Sequence, residues 1–161
     1  MKLTKIIFGT LFICFIGLVL YRTTHTFARV TLRNQIGLHL IRVLANQKTP
    51  LLWPYSISQE DAKIPHTLID RFTGFSEFDH NDYLLLGLTE LTSSNWIAAK
   101  SNLLEATILQ PNNPIIAYWL GLVNYTEGNQ ELAEVNWGKA GALPYILNIG
   151  RFYMEEGLFP E

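Results

Sequence analysis

Residues along the second half of the chain recur at an interval of 34 positions, and that interval limits the fold more than any other feature. Gly87 and Gly121 are 34 apart, as are Leu86 and Leu120, Ala99 and Ala133, Leu103 and Trp137, and Ala106 and Ala140. Helix punctuation agrees with the interval. Asn113-Pro114 supplies an N-cap and a first-turn proline, Gly128-Asn129 ends one helix and caps the next, and Gly141 closes the last. Ser94-Asn95 does the equivalent job in the first unit. Each unit reads as two antiparallel helices. Leu86-Gly87 on the first helix, and Ala99 and Ala106 on the second, leave room for backbones to approach. The expected fold class is all-α: one N-terminal transmembrane helix, then a small antiparallel helical-repeat domain of about two repeats and a capping helix. The alternative is a hairpin bundle without repeat symmetry.

The pattern resembles the tetratricopeptide repeat, W-x2-L-G-x2-Y followed by A-x3-F, A and P. Tyr83, Leu86, Gly87, Ala99, Leu103, Ala106 and Pro111 fall on those places in the first copy. Ala117, Leu120, Gly121, Ala133, Trp137 and Ala140 do so in the second. Glu90 and Asn124 stand where an aromatic residue is usual, and Pro144 comes one residue early; the likeness covers about half the chain. It implies a protein-binding module in which the first helix of each unit lines a concave groove. The groove positions would be Leu84, Leu88, Leu91, Tyr118, Leu122 and Tyr125. Chaperone-binding members clamp a peptide carboxylate with Lys, Arg and Asn at such places. Leu and Tyr here suit an apolar helix or extended segment instead. Two units bury too little alone, so Tyr145–Gly157 reads as a capping helix and a helix from 28–46 or 67–73 as the opposite end. That 28–46 helix could equally fill the groove.

The other constraint lies at the N-terminus. Lys2 and Lys5 precede Ile6–Leu20, an uncharged run interrupted only by Thr10 among its polar residues. Leu3–Tyr21 as a helix spans roughly 28 Å, near the hydrocarbon thickness of a bilayer. Residues 1–21 therefore read as a single-pass anchor, with a cleaved signal ending near Thr26-Phe27-Ala28 as the alternative. Basic residues flank both sides: Lys2 and Lys5 before the run, and Arg22, Arg29, Arg33 and Arg42 after it. Strict counting favours a cytoplasmic C-terminal domain. The short, basic, directly apolar start favours an extracytoplasmic one, and the expectation follows the start.

Ala28, Leu32, Ile36, Leu40 and Val43/Leu44 recur at helical spacing, so 28–46 reads as amphipathic. Arg22, Arg29 and Arg33 project together if the helix continues from the membrane, and would either meet anionic headgroups or point to solvent while the apolar face packs on the domain. Pro50, Pro54 and Pro65 break the pattern, with a short helix following at Thr67–Thr73. The expected domains are thus an anchor at 1–21, a helix and Pro-rich connector at 22–79, and the repeat domain at 80–161.

Charge follows the same division. Residues 1–59 hold seven basic residues and no acid, whereas 60–161 hold five basic residues and all fourteen acids. An acidic repeat domain speaks against nucleic acid as a partner. His25, His39, His66 and His80 show no metal-ligand spacing, and no phosphate loop, nucleophile elbow or dinucleotide fingerprint occurs. Glu77, Asp79, Asn81 and Asp82 lack the glycine and final glutamate of a calcium loop and read as helix capping. No catalytic residue, metal ligand, cofactor or small-molecule substrate is expected. The expected function is a membrane-anchored interaction scaffold or assembly subunit of a membrane complex. The alternatives are a chaperone-like module holding unfolded clients, or an enzyme with a site in 48–80.

Overall fold

The computed structural model describes residues 2–45, 66–75 and 77–148, with side chains at 12–42, 67–75 and 77–148. The Pro-rich connector from 46 to 65 and the end of the expected capping helix, 149–157, lie outside the described residues. All regular structure among the described residues is helical. The elements are α1 (Lys2–Ala45), α2 (His66–Thr73), α3 (His80–Thr92), α4 (Trp96–Leu109), α5 (Pro114–Thr126), α6 (Gln130–Lys139) and α7 (143–148).

The 34-residue interval is built into the helix boundaries. α3 and α5 are each 13 residues long and start 34 apart, and α4 and α6 also start 34 apart. Their N-caps keep the same interval, with different side chains in the first pair and the same in the second. Asp79 and Asn113 cap the first helices through backbone N–H groups of the first turn, and Asn95 and Asn129 cap the second. The intervening turns match as well: Ser94 has φ 57 and Gly128 has φ 79. A side chain is strained in that left-handed region, and glycine is not.

The interval also has a packing cause. A Cβ on Gly87 would lie 2.9 Å from Cγ of Leu103, and one on Gly121 would lie 2.4 Å from the indole of Trp137. Each first helix therefore carries a glycine where one large side chain of the second helix lies flat on its backbone. Trp137 is fixed there by donating its indole N–H to the Tyr118 carbonyl at 3.2 Å. Ala99, Ala106 and Ala133 are wholly buried on the facing helices. Leu91, Leu103, Ile116, Leu120 and Val123 join α3, α4 and α5 into one core.

A second core lies at the N-terminal end. Leu32, Ile36 and Leu40, on one face of α1, close over Phe72 of α2 and Leu86 of α3. Phe72 stacks on Phe78, and Phe78 meets Tyr83 edge-on, so α2 is held to the start of α3 by aromatic contacts. The helix expected at 28–46 thus packs on the domain, across α2 and α3, rather than along α5. It is not a separate element. α1 passes residues 21 and 22 without a break, and the Thr23 and Thr24 hydroxyls donate to the Leu20 carbonyl within it.

Among the described residues, no helix is both long and apolar enough to cross a membrane. The expected span over 1–21 is therefore not met by the described part of the chain. The side chains of residues 1–11, on which half of that span depends, lie outside it.

Gly121→Ala should cost about 2 kcal/mol, because a rigid ring faces the new methyl group. Gly87→Ala should cost less, since Leu103 can rotate. Ser94→Gly should gain about 1 kcal/mol by relieving the left-handed backbone. Urea unfolding of the three variants checks the order.

Candidate functional site

Two features stand apart from ordinary packing: a charged clamp between α1 and α3, and the apolar face along α5. The clamp starts from Asp79, whose carboxylate caps α3 by accepting from the N–H groups of Asn81 (2.8 Å) and Asp82 (3.0 Å). Asp82 returns the bond, its carboxylate accepting from the Asp79 N–H at 3.0 Å. This reciprocal pair places two carboxylates together at the first turn of α3. Asp82 is 0% exposed.

Two arginines one turn apart on α1 answer them. Arg33 Nη1 lies 2.9 Å from Asp79 Oδ2 and 3.3 Å from Asp82 Oδ1. Arg29 lies 3.7 Å from each carboxylate and donates to the Glu77 carbonyl. Partial burial pushes the Asp79 carboxyl up, but the Asp82 amide, the Arg33 guanidinium and the Asn81 amide outweigh it. The net effect is a value below its ordinary 3.8. Arg29 and Arg33 are thus neither a headgroup patch nor a solvated face. Arg22 alone of the three expected arginines remains exposed.

The expected groove residues divide. Leu84 and Leu88 are half-buried against the main core, and Leu88 also touches the α1 cluster. Tyr118 and Leu122, their counterparts 34 residues on, are half-buried along α5. Leu91 lines no groove, because α4 and α5 enclose it completely. Its counterpart Tyr125 is half-exposed and packs its ring 5.7 Å from that of Trp137. Tyr125 and Trp137 form one wall of a cleft of about 210 Å3, whose other wall is Leu143, Ile146 and Leu147 of α7. Burial, then the neighbouring Tyr145, pushes the Tyr118 phenol above its ordinary value.

The repeat-defining residues also divide. Gly87, Ala99, Ala106, Leu120, Gly121, Ala133 and Trp137 are buried between helices. Leu86 faces α1 and α2 instead of α4. Pro111 lies exposed in the turn after α4, and Ala140 is the half-buried C-cap of α6. The sequon Asn124-Tyr125-Thr126 is closed to modification: Asn124 is buried and donates its side-chain amide to the Leu120 carbonyl. No group of three or more His, Cys, Asp or Glu side chains among the described residues could hold a metal ion.

Sequence reasoning missed the clamp, although its signals were present. Arg29 and Arg33 are one helical turn apart, and Asp79 and Asp82 have capping-box spacing. Nothing local links the two pairs, which are nearly fifty residues apart. Comparison with protein-family models, with curated proteins and with solved structures finds no match for this chain.

Arg33→Ala should lower stability by about 2–3 kcal/mol, since it strips a buried carboxylate of its nearest cation. Because the Asp79 value is lowered on folding, its contribution is fully present above the ordinary 3.8. That contribution disappears as pH falls through the lower folded value. Asn is an equally good cap but carries no charge, so thermal melts of Asp79→Asn between pH 5 and pH 2 should show a shallower acid loss.

Proposed function

We propose that this chain is a membrane-attached helical-repeat adaptor, of the tetratricopeptide type, that holds a protein-binding surface at a fixed position next to the bilayer. The observation that carries the reading is the continuity of α1. Its side chains at Phe12–Leu20 are exposed and almost all apolar, with no described element packed over them. Ile6–Thr10 extends that run in the sequence. Nine residues after Leu20, the same helix reaches Arg29 and is fastened to the repeats. Nine residues of helix rise about 14 Å, so the repeats would sit at the membrane surface. A helix joined through a flexible linker would leave that position undetermined.

The face offered to a partner is the second unit's, because α1 and α2 already lie over the first. Tyr118, Leu122 and Tyr125 present aromatic and aliphatic surface with few charges, which suits an apolar helix or extended segment. The reading assigns no chemistry to the chain and makes it an accessory or assembly subunit of a membrane complex.

The test uses the full chain solubilised from membranes in mild detergent after crosslinking. A partner should be recovered at fixed stoichiometry. Tyr118→Asp with Leu122→Asp should lose it, while the circular dichroism of the repeats is retained. Recovery of the chain alone, or partner retention by the double variant, would sink the proposal. Alkaline extraction reads membrane attachment independently: the chain should stay with the pellet.

A further inference from the structure

A polar recess opens on α1 just past its uncovered apolar run. Tyr21, Arg22, His25 and Thr26 form the helical wall, and Glu77, in the segment before α3, forms the other; the volume is about 410 Å3. Both walls are held by contacts of the protein itself. Arg29, one turn beyond His25, donates to the Glu77 carbonyl, and the His25 ring meets Phe75 edge-on with ring centres 4.7 Å apart. The Tyr21 ring lies 5.8 Å from that of His25. A cation and a carboxylate thus face one opening. Among the described residues, neither the exposed Arg22 guanidinium nor the Glu77 carboxylate has an ion-pair partner, whereas Arg29 and Arg33 on the same helix are both paired.

We infer that the recess holds a phosphoethanolamine group, the headgroup of phosphatidylethanolamine, with its phosphate on Arg22 and His25 and its ammonium on Glu77. A guanidinium offers two parallel N–H groups to phosphate oxygens, and the imidazole has an N–H of its own to add. Glu77 sets the selectivity. Its carboxylate on the opposite wall repels a headgroup that is anionic overall, so a basic patch for acidic lipids is the wrong description. A quaternary ammonium has no N–H to donate to that carboxylate. A primary ammonium has three, and it leaves both protein charges matched.

Position in the chain selects the lipid over free phosphoethanolamine. Tyr21 directly follows Leu20, so in a bilayer entered by the apolar run the recess lies at headgroup level, where tyrosine is enriched. Gly17 and Cys14 stand one and two turns before Tyr21 on the same face, and a Cβ added to Gly17 would meet nothing within 4 Å. An acyl chain can leave the recess along that track. In this placement the inference rests on the proposed membrane attachment. The bound lipid would bridge α1 to Glu77, at the junction where the clamp fastens the repeats.

The test is native mass spectrometry of the full chain released from micelles holding equal amounts of phosphatidylethanolamine, phosphatidylcholine and phosphatidylglycerol. One phosphatidylethanolamine should be retained in preference to the other two. Arg22→Gln should lower that retention about tenfold, the worth of one charged hydrogen bond. Glu77→Gln should keep a phospholipid but lose the preference, with phosphatidylglycerol rising to match phosphatidylethanolamine. Both side chains are exposed, so neither variant should shift the melting of the repeats. Unchanged retention in Arg22→Gln, or an unchanged preference in Glu77→Gln, would overturn the site. So would a wild-type chain that prefers phosphatidylglycerol or retains no lipid. Free phosphoethanolamine in large excess should leave the lipid in place, and full displacement by it would overturn the lipid as the source. Alkaline extraction separates the two readings. A chain that leaves the pellet refutes the attachment, and one that stays yet shows no lipid preference refutes this site alone.

Discussion

Asp82 is a carboxylate without contact to solvent, and a lone charge in that position would cost several kcal/mol. It is tolerable only because Arg33 and Arg29 face it and the Asp79 amide donates to it. The start of α3 therefore requires α1. Remove α1, and the repeat domain is left with a buried anion, a capping Asp without its arginine, and the uncovered side chains of Phe72 and Leu86. The apolar contacts of Leu32, Ile36 and Leu40 supply most of the attraction across this junction, and the ion pairs fix its register. A one-residue slip of α1 would rotate the arginines about 100° away from the carboxylates.

That dependence changes what α1 is. An amphipathic segment that merely followed a membrane anchor could sit anywhere near the surface. A single helix that is apolar and uncovered at one end and pinned at the other transmits its orientation to everything attached to it. The first repeat is closed by α1 and α2, the second is closed in part by α7, and the exposed aromatic surface falls between. The difference between Leu91 and Tyr125 has this origin. The two are equivalent by the interval of 34, yet α5 covers one while the short α7 leaves the other at the edge of a cleft.

The repeat was legible in the sequence because close helix approach admits few residue types. Glycine under Leu103 and glycine under Trp137 leave a signature that no other packing would preserve at a fixed interval. The caps were legible as well. Asn113 and Asn129 stand beside a proline and a glycine that mark the helix starts, and the oxygen-rich run around Asp79 reads as capping, which Asp79 performs with a different side chain from Asn113. The clamp was legible only as two unconnected pairs, Arg29 with Arg33 and Asp79 with Asp82. Ion pairing between segments leaves no periodic trace, and the arginines fit a headgroup patch equally well until their partners are located. Continuity of α1 through Thr23 and Thr24 was also obscured, since threonine-rich segments resemble linkers unless their hydroxyls bond back to the helix.

The central claim, that α1 is an integral part of the repeat body, is tested most directly by amide hydrogen exchange on the full chain in detergent. Amides from Leu32 to Leu40 should be protected as strongly as those of Ile116 to Val123 in the main core, and the two segments should open together in mild urea. Exchange of α1 at the rate of an isolated helix, with α3 to α6 still protected, would contradict the account.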